Sequence, residues 1–509
     1  MADEQAQSKG PDLSKGIASS QLADGAMLAG HFGDDQVLLV RRGREVFAID
    51  ALCSHYHGAL ADGLLVGDTV RCPLHHACFN LRTGEALNAP AFSPLACWTV
   101  EERDNKIFVA GKRPSTVAKP RPVSGAPERI VLVGGGAAGF AAADMLRREG
   151  YQGSIVMLSH EDAAPVDRTN LSKDYLSGAA PEEWVPMRPD SFYPESGIDL
   201  RLNVTAADID TRSREIVLSD GNKIPYDRVL LATGAEPIRL PIPGFDGPAV
   251  HTLRSLPDCR AIIAAANDAR RVIVIGASFI GLEVAGSLRN RKIEVLVVAP
   301  EKRPMERVLG PQMGDFVRKL HEEHGVQFHL EDTAVAIEGR RVKLKSGATL
   351  EADLVVAGVG VRPRLDLAQK VGLTIDRGVS VNAYLETSAP NIYAAGDIAR
   401  WPDPHSGANI RVEHWVVAQR QGQIAALNML GRRQKFDAVP FFWSQHYDVA
   451  INYVGHAEAW DEIAVDGDVT TKNCVLRYNQ KGRTLAVASI SRDVDNLKAE
   501  LQMEQAGAA

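Results

Sequence analysis

Residues 129–150 read RIVLVGGGAAGFAAADMLRREG, and this stretch decides the class of fold. A short apolar run of strand character leads into Gly134-x-Gly136-x-x-Gly139, and an alanine-rich run of helical character follows. A glycine triplet of this spacing carries little weight alone. Between a strand and a helix it marks a turn whose glycines let a pyrophosphate approach the backbone at a helix N-terminus. A second strand, SIVMLS from Ser154, ends at His160-Glu161, where a carboxylate can bind ribose hydroxyls. Residues 271–301, RVIVIGASFIGLEVAGSLRNRKIEVLVVAPE, repeat the arrangement with Gly276, Ser278 and Gly281. The chain is therefore expected to hold two dinucleotide folds, each taking a different nucleotide. Ser278 replaces the middle glycine; its side chain crowds a pyrophosphate, yet its hydroxyl can donate to one. The usual acidic place at the end of the second strand holds Ala299, with Glu301 two residues on and Lys302-Arg303 after it. That leaves NADH and NADPH both open, with NADH favoured because Glu301 would repel a 2'-phosphate.

At 509 residues the chain should divide into about three or four domains of roughly 100 to 200 residues. Lys plus Arg number 57 against 64 Asp plus Glu, a formal charge of -7 without a long basic run, which argues against nucleic acid as a partner. No apolar stretch reaches the roughly 18 residues that span a bilayer. The opening MADEQAQSKGPDLSKG is acidic and polar, where a secretory signal needs a basic start and an apolar core, so a cytoplasmic location is expected. Six cysteines are too few for a disulfide scaffold of this size, and a close Cys/His cluster in the first hundred residues suggests metal instead.

Residues 37–50, VLLVRRGREVFAID, give two β-rich runs around Gly43, and further short runs lie at 69–71, 97–101 and 106–110. Inside this small all-β unit stand Cys53-Ser-His55 and, after sixteen residues, Cys72-Pro-Leu-His75. Each loop carries one thiolate and one imidazole. Zinc fingers usually pair like with like in sequence, whereas a 2Fe-2S cluster with two thiolates on one iron and two imidazoles on the other suits these mixed loops. The pattern resembles the Rieske motif, with Cys53, His55, Cys72 and His75 as ligands. His57, His76 and Cys78 fill no motif slot and are read as neighbours. High-potential members of that family add a disulfide-forming cysteine to each loop; Gly58 and Leu74 stand there, which implies the lower-potential, ferredoxin-like kind.

Residues 111–127, GKRPSTVAKPRPVSGAP, have the composition of a semi-extended tether. Beyond them come Pro165-Val-Asp-Arg168-Thr-Asn-Leu-Ser-Lys173, Leu231-Ala-Thr-Gly234, Val359-Gly-Val-Arg-Pro363 and Ile392-Tyr-Ala-Ala-Gly396-Asp397. Together these resemble the flavin reductases of the apoptosis-inducing-factor and putidaredoxin-reductase type over about residues 128–509. With the β module in front, the chain resembles the apoptosis-inducing-factor-like Rieske flavoproteins. The resemblance implies a multidomain fold: a small all-β Rieske domain (11–110), a Pro-rich linker (111–127), two α/β Rossmann-like domains in a glutathione-reductase-like arrangement, and an α+β C-terminal interface domain (436–509). FAD would bind to 128–248 with 372–435, and the nicotinamide nucleotide to 249–371.

Carried over by motif, Lys173 should lie beside the flavin and pair with Glu283; these two are the candidate catalytic residues. Arg168 should contact FAD, Asp397 should bond the ribityl chain, and Glu413-His414-Trp415 should open a helix facing the flavin ring. Trp443 matches an aromatic near the active face. The cofactor-binding set implied is completed by Gly134, Gly136, Ala138, Gly139, Glu161, Val204, Thr233, Gly234, Gly276, Ser278, Gly281, Glu301, Gly360 and Gly396. Val166 and Thr169-Asn170 depart from the family's PYxRPPLSK, which puts the local shape of the flavin pocket in question.

A hydride carries two electrons and one Rieske cluster accepts one, so a flavin must divide the pair. The expected order is NAD(P)H to FAD to 2Fe-2S to a small redox protein or an oxygenase. No CxxC occurs, which argues against a dithiol route. A protein that senses redox state through NADH binding and altered partner contacts is the alternative. Oligomeric state is left open, a homodimer being compatible with the sequence.

Overall fold

The computed structural model describes residues 10–114 and 125–507, so most of the expected linker, residues 115–124, lies outside the described residues. The chain forms two compact units, one of residues 1–122 with 492–509 and the other of residues 123–491.

The first unit is built on a six-stranded antiparallel sheet in the order Ile17–Ala18, Lys106–Arg113, Cys97–Arg103, Glu45–Asp50, Asp35–Arg42, Met27–Phe32. Alternation along these strands sends Leu38, Val40 and Ile49 into one apolar cluster and Val37, Leu39 and Ala48 into another. A smaller antiparallel sheet, Leu64–Val66, Thr69–Arg71, Cys78–Asn80 and Ala86–Asn88, shares the first cluster through Val70 and Phe79. The helix Asp493–Gly507, from the far end of the sequence, belongs to this unit. Its Glu504 accepts a forked bond from the Arg71 guanidinium (2.7 and 3.0 Å), and its buried Glu500 sits 2.7 Å from His76 Nδ1. This helix falls within the expected interface domain of 436–509 and groups by its contacts with the first unit.

The second unit carries two parallel five-stranded sheets. One runs Ile198–Arg201, Ser154–Leu158, Arg129–Val133, Arg228–Leu231, Ile392–Ala394; the last strand shows the chain returning to the first nucleotide fold. The other runs Val250–Thr252, Leu354–Ala357, Arg271–Ile275, Glu294–Ala299, Val326–Leu330. Strands buried on both faces read as continuous Val/Ile/Leu runs, as these do. An antiparallel sheet follows in the order Phe441–His446, Val449–Gly455, Arg483–Ile490, Asn473–Gln480, Glu462–Asp468.

Small residues bring the helices of the first nucleotide fold together. Ala137, Ala138, Ala141, Ala142 and Ala143 are all buried in the helix Ala137–Arg148. A side chain at Gly422, on the helix Trp415–Met429, would stand 2.2 Å from the Ala138 carbonyl oxygen. Only glycine permits that approach.

Candidate functional site

The two ligand loops of the first unit share one construction. In the first, Cys53 N–H bonds the Gly58 carbonyl at 2.9 Å and His57 N–H bonds the Cys53 carbonyl at 2.9 Å. In the second, Cys72 N–H bonds Ala77 at 2.8 Å and His76 N–H bonds Cys72 at 3.2 Å. His57 and His76 both take the left-handed conformation, with φ of 53° and 60°. Each loop thus turns its cysteine inward and its ligand histidine outward. The Cys53 and Cys72 thiols are buried and hydrogen-bonded to each other, which lowers Cys53 and raises Cys72 in pKa. His55 Nδ1 and His75 Nδ1 face each other at 3.1 Å in half-buried positions.

Among the described residues no three His, Cys, Asp or Glu side chains converge on one point. The two thiols pair with each other and the two imidazoles with each other, an arrangement that suits a two-iron cluster. His57 is exposed, and His76 is buried with its Nδ1 against Glu500. Cys78 is a buried strand residue. A side chain at Gly58 would meet Leu74 at 2.8 Å, so the pair of positions that carries a disulfide in high-potential relatives is occupied by a glycine and a leucine in contact.

In the second unit a cavity of about 730 Å³ opens between the nucleotide folds. It is lined by Gly134, Gly136, Ala138, Glu161, Arg168, Lys173, Val204, Thr233 and Gly234 from one side. Ser278, Glu283, Gly360, Gly396, Asp397, Glu413, His414, Trp415 and Trp443 complete the predicted residues on its wall. Gly139, Gly276 and Gly281 are not on the wall. A side chain at Gly139 would come within 1.9 Å of the Gly134 carbonyl oxygen, and one at Gly281 within 2.3 Å of the Gly276 oxygen, so they serve close helix–strand packing. Gly276 takes φ of 110° and gives the second loop its turn. Glu301 is exposed and away from the cavity.

The groups present fit an adenine dinucleotide flavin. The helices Ala137–Arg148 and Trp415–Met429 begin at the cavity wall, and neither has a side chain capping its first turn, which leaves backbone N–H groups for an anion. His414 Nδ1 and Trp415 Nε1 are buried without a protein partner, and burial pushes the His414 imidazole down to about 3. Around Gly136 a side-chain carbon would meet only Arg168 Nη2, at 3.7 Å, so the loop is open to a ligand. Asp397 is paired with Arg254 at 2.5 Å, and Glu161 with Arg168 at 2.6 Å. Burial lowers Arg168, though a guanidinium stays charged at neutral pH.

Lys173 and Glu283 are brought together as expected, at 2.8 Å. Lys173 Nζ also donates to the Thr169 carbonyl at 3.0 Å and lies 6.0 Å from the centre of the Trp443 ring. Glu283 is buried and accepts from Ser172 Oγ at 2.5 Å and Ser444 Oγ at 2.6 Å. The departures at 166–170 are absorbed locally. Asp167 Oδ1 accepts from both the N–H and the hydroxyl of Thr169, and Asn170 Oδ1 accepts from Tyr175 N–H, so an Asx turn replaces a stiff Pro-Pro. Val166 is buried in the apolar core.

Ser172, Ser444, Arg254 and Arg364 were absent from the expected set, yet the serines brace Glu283 and both arginines line the cavity. Ser172 stands next to Lys173 in the Leu-Ser-Lys run and Arg364 directly follows Val359-Gly-Val-Arg-Pro363, signals that could have found them; Ser444 and Arg254 carry none. The cysteines of this unit, Cys259 and Cys474, are buried thiols outside any disulfide; Cys259 Sγ donates to the Leu171 carbonyl at 3.2 Å, and burial pushes its thiol up to about 12. They form no dithiol.

The description "Pyridine nucleotide-disulphide oxidoreductase" matches residues 128–422, "Rieske [2Fe-2S] domain" residues 14–99, and "Reductase C-terminal" residues 441–508. The chain belongs to the pyridine nucleotide-disulphide oxidoreductase family, in its ferredoxin-reductase branch, with a Rieske domain in front. It is similar to apoptosis-inducing factor 3 of Homo sapiens, 32% identical over 93% of this chain and 80% of that protein. Rhodocoxin reductase of Rhodococcus erythropolis is 35% identical over 73% of this chain and 88% of its own. The solved covalent putidaredoxin reductase–putidaredoxin complex superimposes with a TM-score of 0.72 at 31% identity, covering 74% of this chain and 93% of that one. The chain is thus an FAD-dependent NAD(P)H oxidoreductase of the ferredoxin-reductase type, and its cofactors are FAD, NADH and a Rieske 2Fe-2S cluster. No described helix is long and apolar enough to cross a membrane.

Proposed function

We propose that NAD(P)H is oxidised at the wall carrying Lys173 and Glu283, and that its electrons leave singly by way of Cys53, His55, Cys72 and His75 toward a small redox protein or an oxygenase. When bound, FAD converts a hydride into single electrons and the cluster accepts them one at a time. The observation that carries this reading is that both glycine loops, through Gly134 and Gly136 on one side and Ser278 on the other, open into one cavity. Two nucleotides held there would meet beside the buried ion pair.

On this reading Gly134 and Gly136 leave room for a pyrophosphate, and the uncapped helix N-termini take its charge. Trp415 and Trp443 exclude water from the reacting face. Lys173, fixed by Glu283 and the Thr169 carbonyl, presents one positive charge with little freedom to reorganise. The assignment of FAD to 128–248 with 372–435, and of the nicotinamide nucleotide to 249–371, is supported by the presence of two parallel sheets. NADH is the favoured donor on the likeness to ferredoxin–NAD(+) reductases; Glu301, exposed and away from the cavity, does not select it. A small redox protein as acceptor is supported by the likeness to the putidaredoxin reductase–putidaredoxin complex.

Anaerobically purified protein should contain one FAD, two irons and acid-labile sulfide per chain; zinc in their place would sink the cluster assignment. With NADH and a panel of ferredoxins, at least one should sustain many turnovers per second. Rapid reduction followed by slow reoxidation with every carrier would favour a sensing role instead.

A further inference from the structure

Glu283 is held from the cavity side by Lys173 and Ser172, and from the opposite side by a polar chain that leads away through the protein. Ser444 Oγ lies 2.6 Å from Glu283 Oε1 and 3.0 Å from His446 Nε2. His446 Nδ1 is 3.2 Å from His321 Nε2, and His321 Nδ1 is 3.3 Å from the Tyr447 hydroxyl. Ser444, His446 and His321 are at most 1% exposed. Tyr447 is half-buried and stacks at 3.6 Å on His324, which is exposed. The contacts therefore run unbroken from the ion pair to the surface.

Their polarity follows from the inventory of protons. An ionised carboxylate only accepts, so Ser444 gives its one proton to Glu283 and accepts from His446 Nε2–H. A neutral imidazole protonated at Nε2 has a bare Nδ1, so His446 accepts from His321 Nε2–H, and His321 in turn accepts the Tyr447 hydroxyl proton. Every donor points toward Glu283. Burial holds both rings neutral: His446 is pushed down to about 3, with Lys173 adding to the effect, and His321 lies well below the ordinary range with His446 and His324 facing it.

We propose that Ser444, His446, His321 and Tyr447 form a proton relay between Glu283 and solvent. The inference rests on the reading that the Lys173–Glu283 pair stands at the reacting face. The hydride that leaves NADH adds one negative charge to the cavity and one-electron acceptors later remove it, so a proton held on Glu283 in between offsets that charge. In the inward step, which starts from the resting polarity, water gives a proton to the Tyr447 oxygen as the Tyr447 proton passes to His321 Nδ1, and the His321 Nε2 proton passes to His446 Nδ1. The His446 Nε2 proton passes to Ser444 Oγ and the Ser444 proton to Glu283. Each relay atom gives one proton and takes one, no electron moves, and Glu283 is left protonated with both rings protonated at Nδ1. The outward step, on reoxidation, is the reverse: it returns one proton to water and restores the resting polarity.

Nitrogen NMR of the holoprotein with labelled histidine, assigned by His321→Gln and His446→Gln, should find both rings neutral with the proton on Nε2 through neutral pH. A charged ring, or a resting Nδ1–H form of either, would overturn the relay. Tyr447→Phe removes one hydroxyl and keeps the stacked ring. When the NADH-reduced variant is mixed with ferricyanide and a pH indicator, proton release should slow about tenfold or more, with flavin reduction by NADH unchanged. Release at the wild-type rate in both Tyr447→Phe and His446→Gln would also overturn it. Should Lys173 and Glu283 variants leave hydride transfer untouched, the functional reading fails; the tautomers, measured without NADH, report on the chain of contacts itself.

Discussion

The two cofactor sites are built on opposite plans. The proposed cluster ligands come from two loops that repeat one another bond for bond, cysteine N–H to a carbonyl five residues ahead, with a left-handed histidine before the closure. The cavity proposed for the flavin draws its wall from segments scattered between Val133 and Trp443, none of which closes a ligand set alone. A site of four coordinating atoms fails as a whole when one is lost. A site of many contacts, each contributing about 0.5–3 kcal/mol, fails by degrees.

The largest effect expected is therefore at Cys53. Cys53→Ser should remove the cluster entirely, with loss of its absorbance and electron paramagnetic resonance signal, while FAD stays bound in the other unit. Ferricyanide, which can take electrons from the flavin, should still be reduced at a near wild-type rate, and reduction of a protein carrier should fall sharply. Carrier reduction that survives loss of the cluster would break the comparison, because the local site would then be off the electron path.

Next in size are the residues shared by both nucleotide folds. Glu283→Gln and Lys173→Met should slow flavin reduction by NADH about a hundredfold in stopped-flow, with FAD content little changed. Breaking a buried pair also costs stability, roughly 3–5 kcal/mol when one charge is left unpaired, so Glu283→Gln, which keeps the volume and two polar atoms, is the cleaner variant. Equal rates in wild type and both variants would show that the pair is structural.

The same contrast explains what could be read before the structure was known. Cys53-Ser-His55 and Cys72-Pro-Leu-His75 are legible because ligands within a tight loop are close in sequence. The glycine triplets are legible for the same reason, since strand, turn and helix adjoin. Glu500 against His76 was not legible, because the helix that carries it comes from the other end of the chain and was expected to belong with residues 436–491. Ser444 and Arg254 face the same limit: nothing in their neighbours distinguishes a serine that braces a buried carboxylate from one on a surface strand. Trp415 and Trp443 were as compatible with simple packing as with the cavity, and only tertiary placement put both on its wall.

Gly422→Ala tests the distributed site from outside the ligand wall. The added carbon would stand 2.2 Å from the Ala138 backbone oxygen, and a backbone atom cannot swing aside as a side chain can. The helices Ala137–Arg148 and Trp415–Met429 should separate slightly, costing about 1–3 kcal/mol of stability and weakening FAD retention, both measurable by following released flavin fluorescence on heating. The cluster signal should be unaffected.

The smallest effect is expected at Ser278, where the two glycine loops differ. Gly136 is open to the cavity, whereas Ser278 places a hydroxyl on its wall that does not cap its own helix and is exposed. If that hydroxyl donates to a phosphate, it contributes about 0.5–1.5 kcal/mol, and Ser278→Gly should raise the KM for NADH by about two- to tenfold. The limiting kcat should not change, because a phosphate contact is made equally in the ground and transition states. A fall in KM would mean that the side chain crowds the pyrophosphate more than it binds it. The reciprocal change, Gly136→Ser, should weaken FAD binding and leave the KM for NADH alone, since that loop serves the other nucleotide.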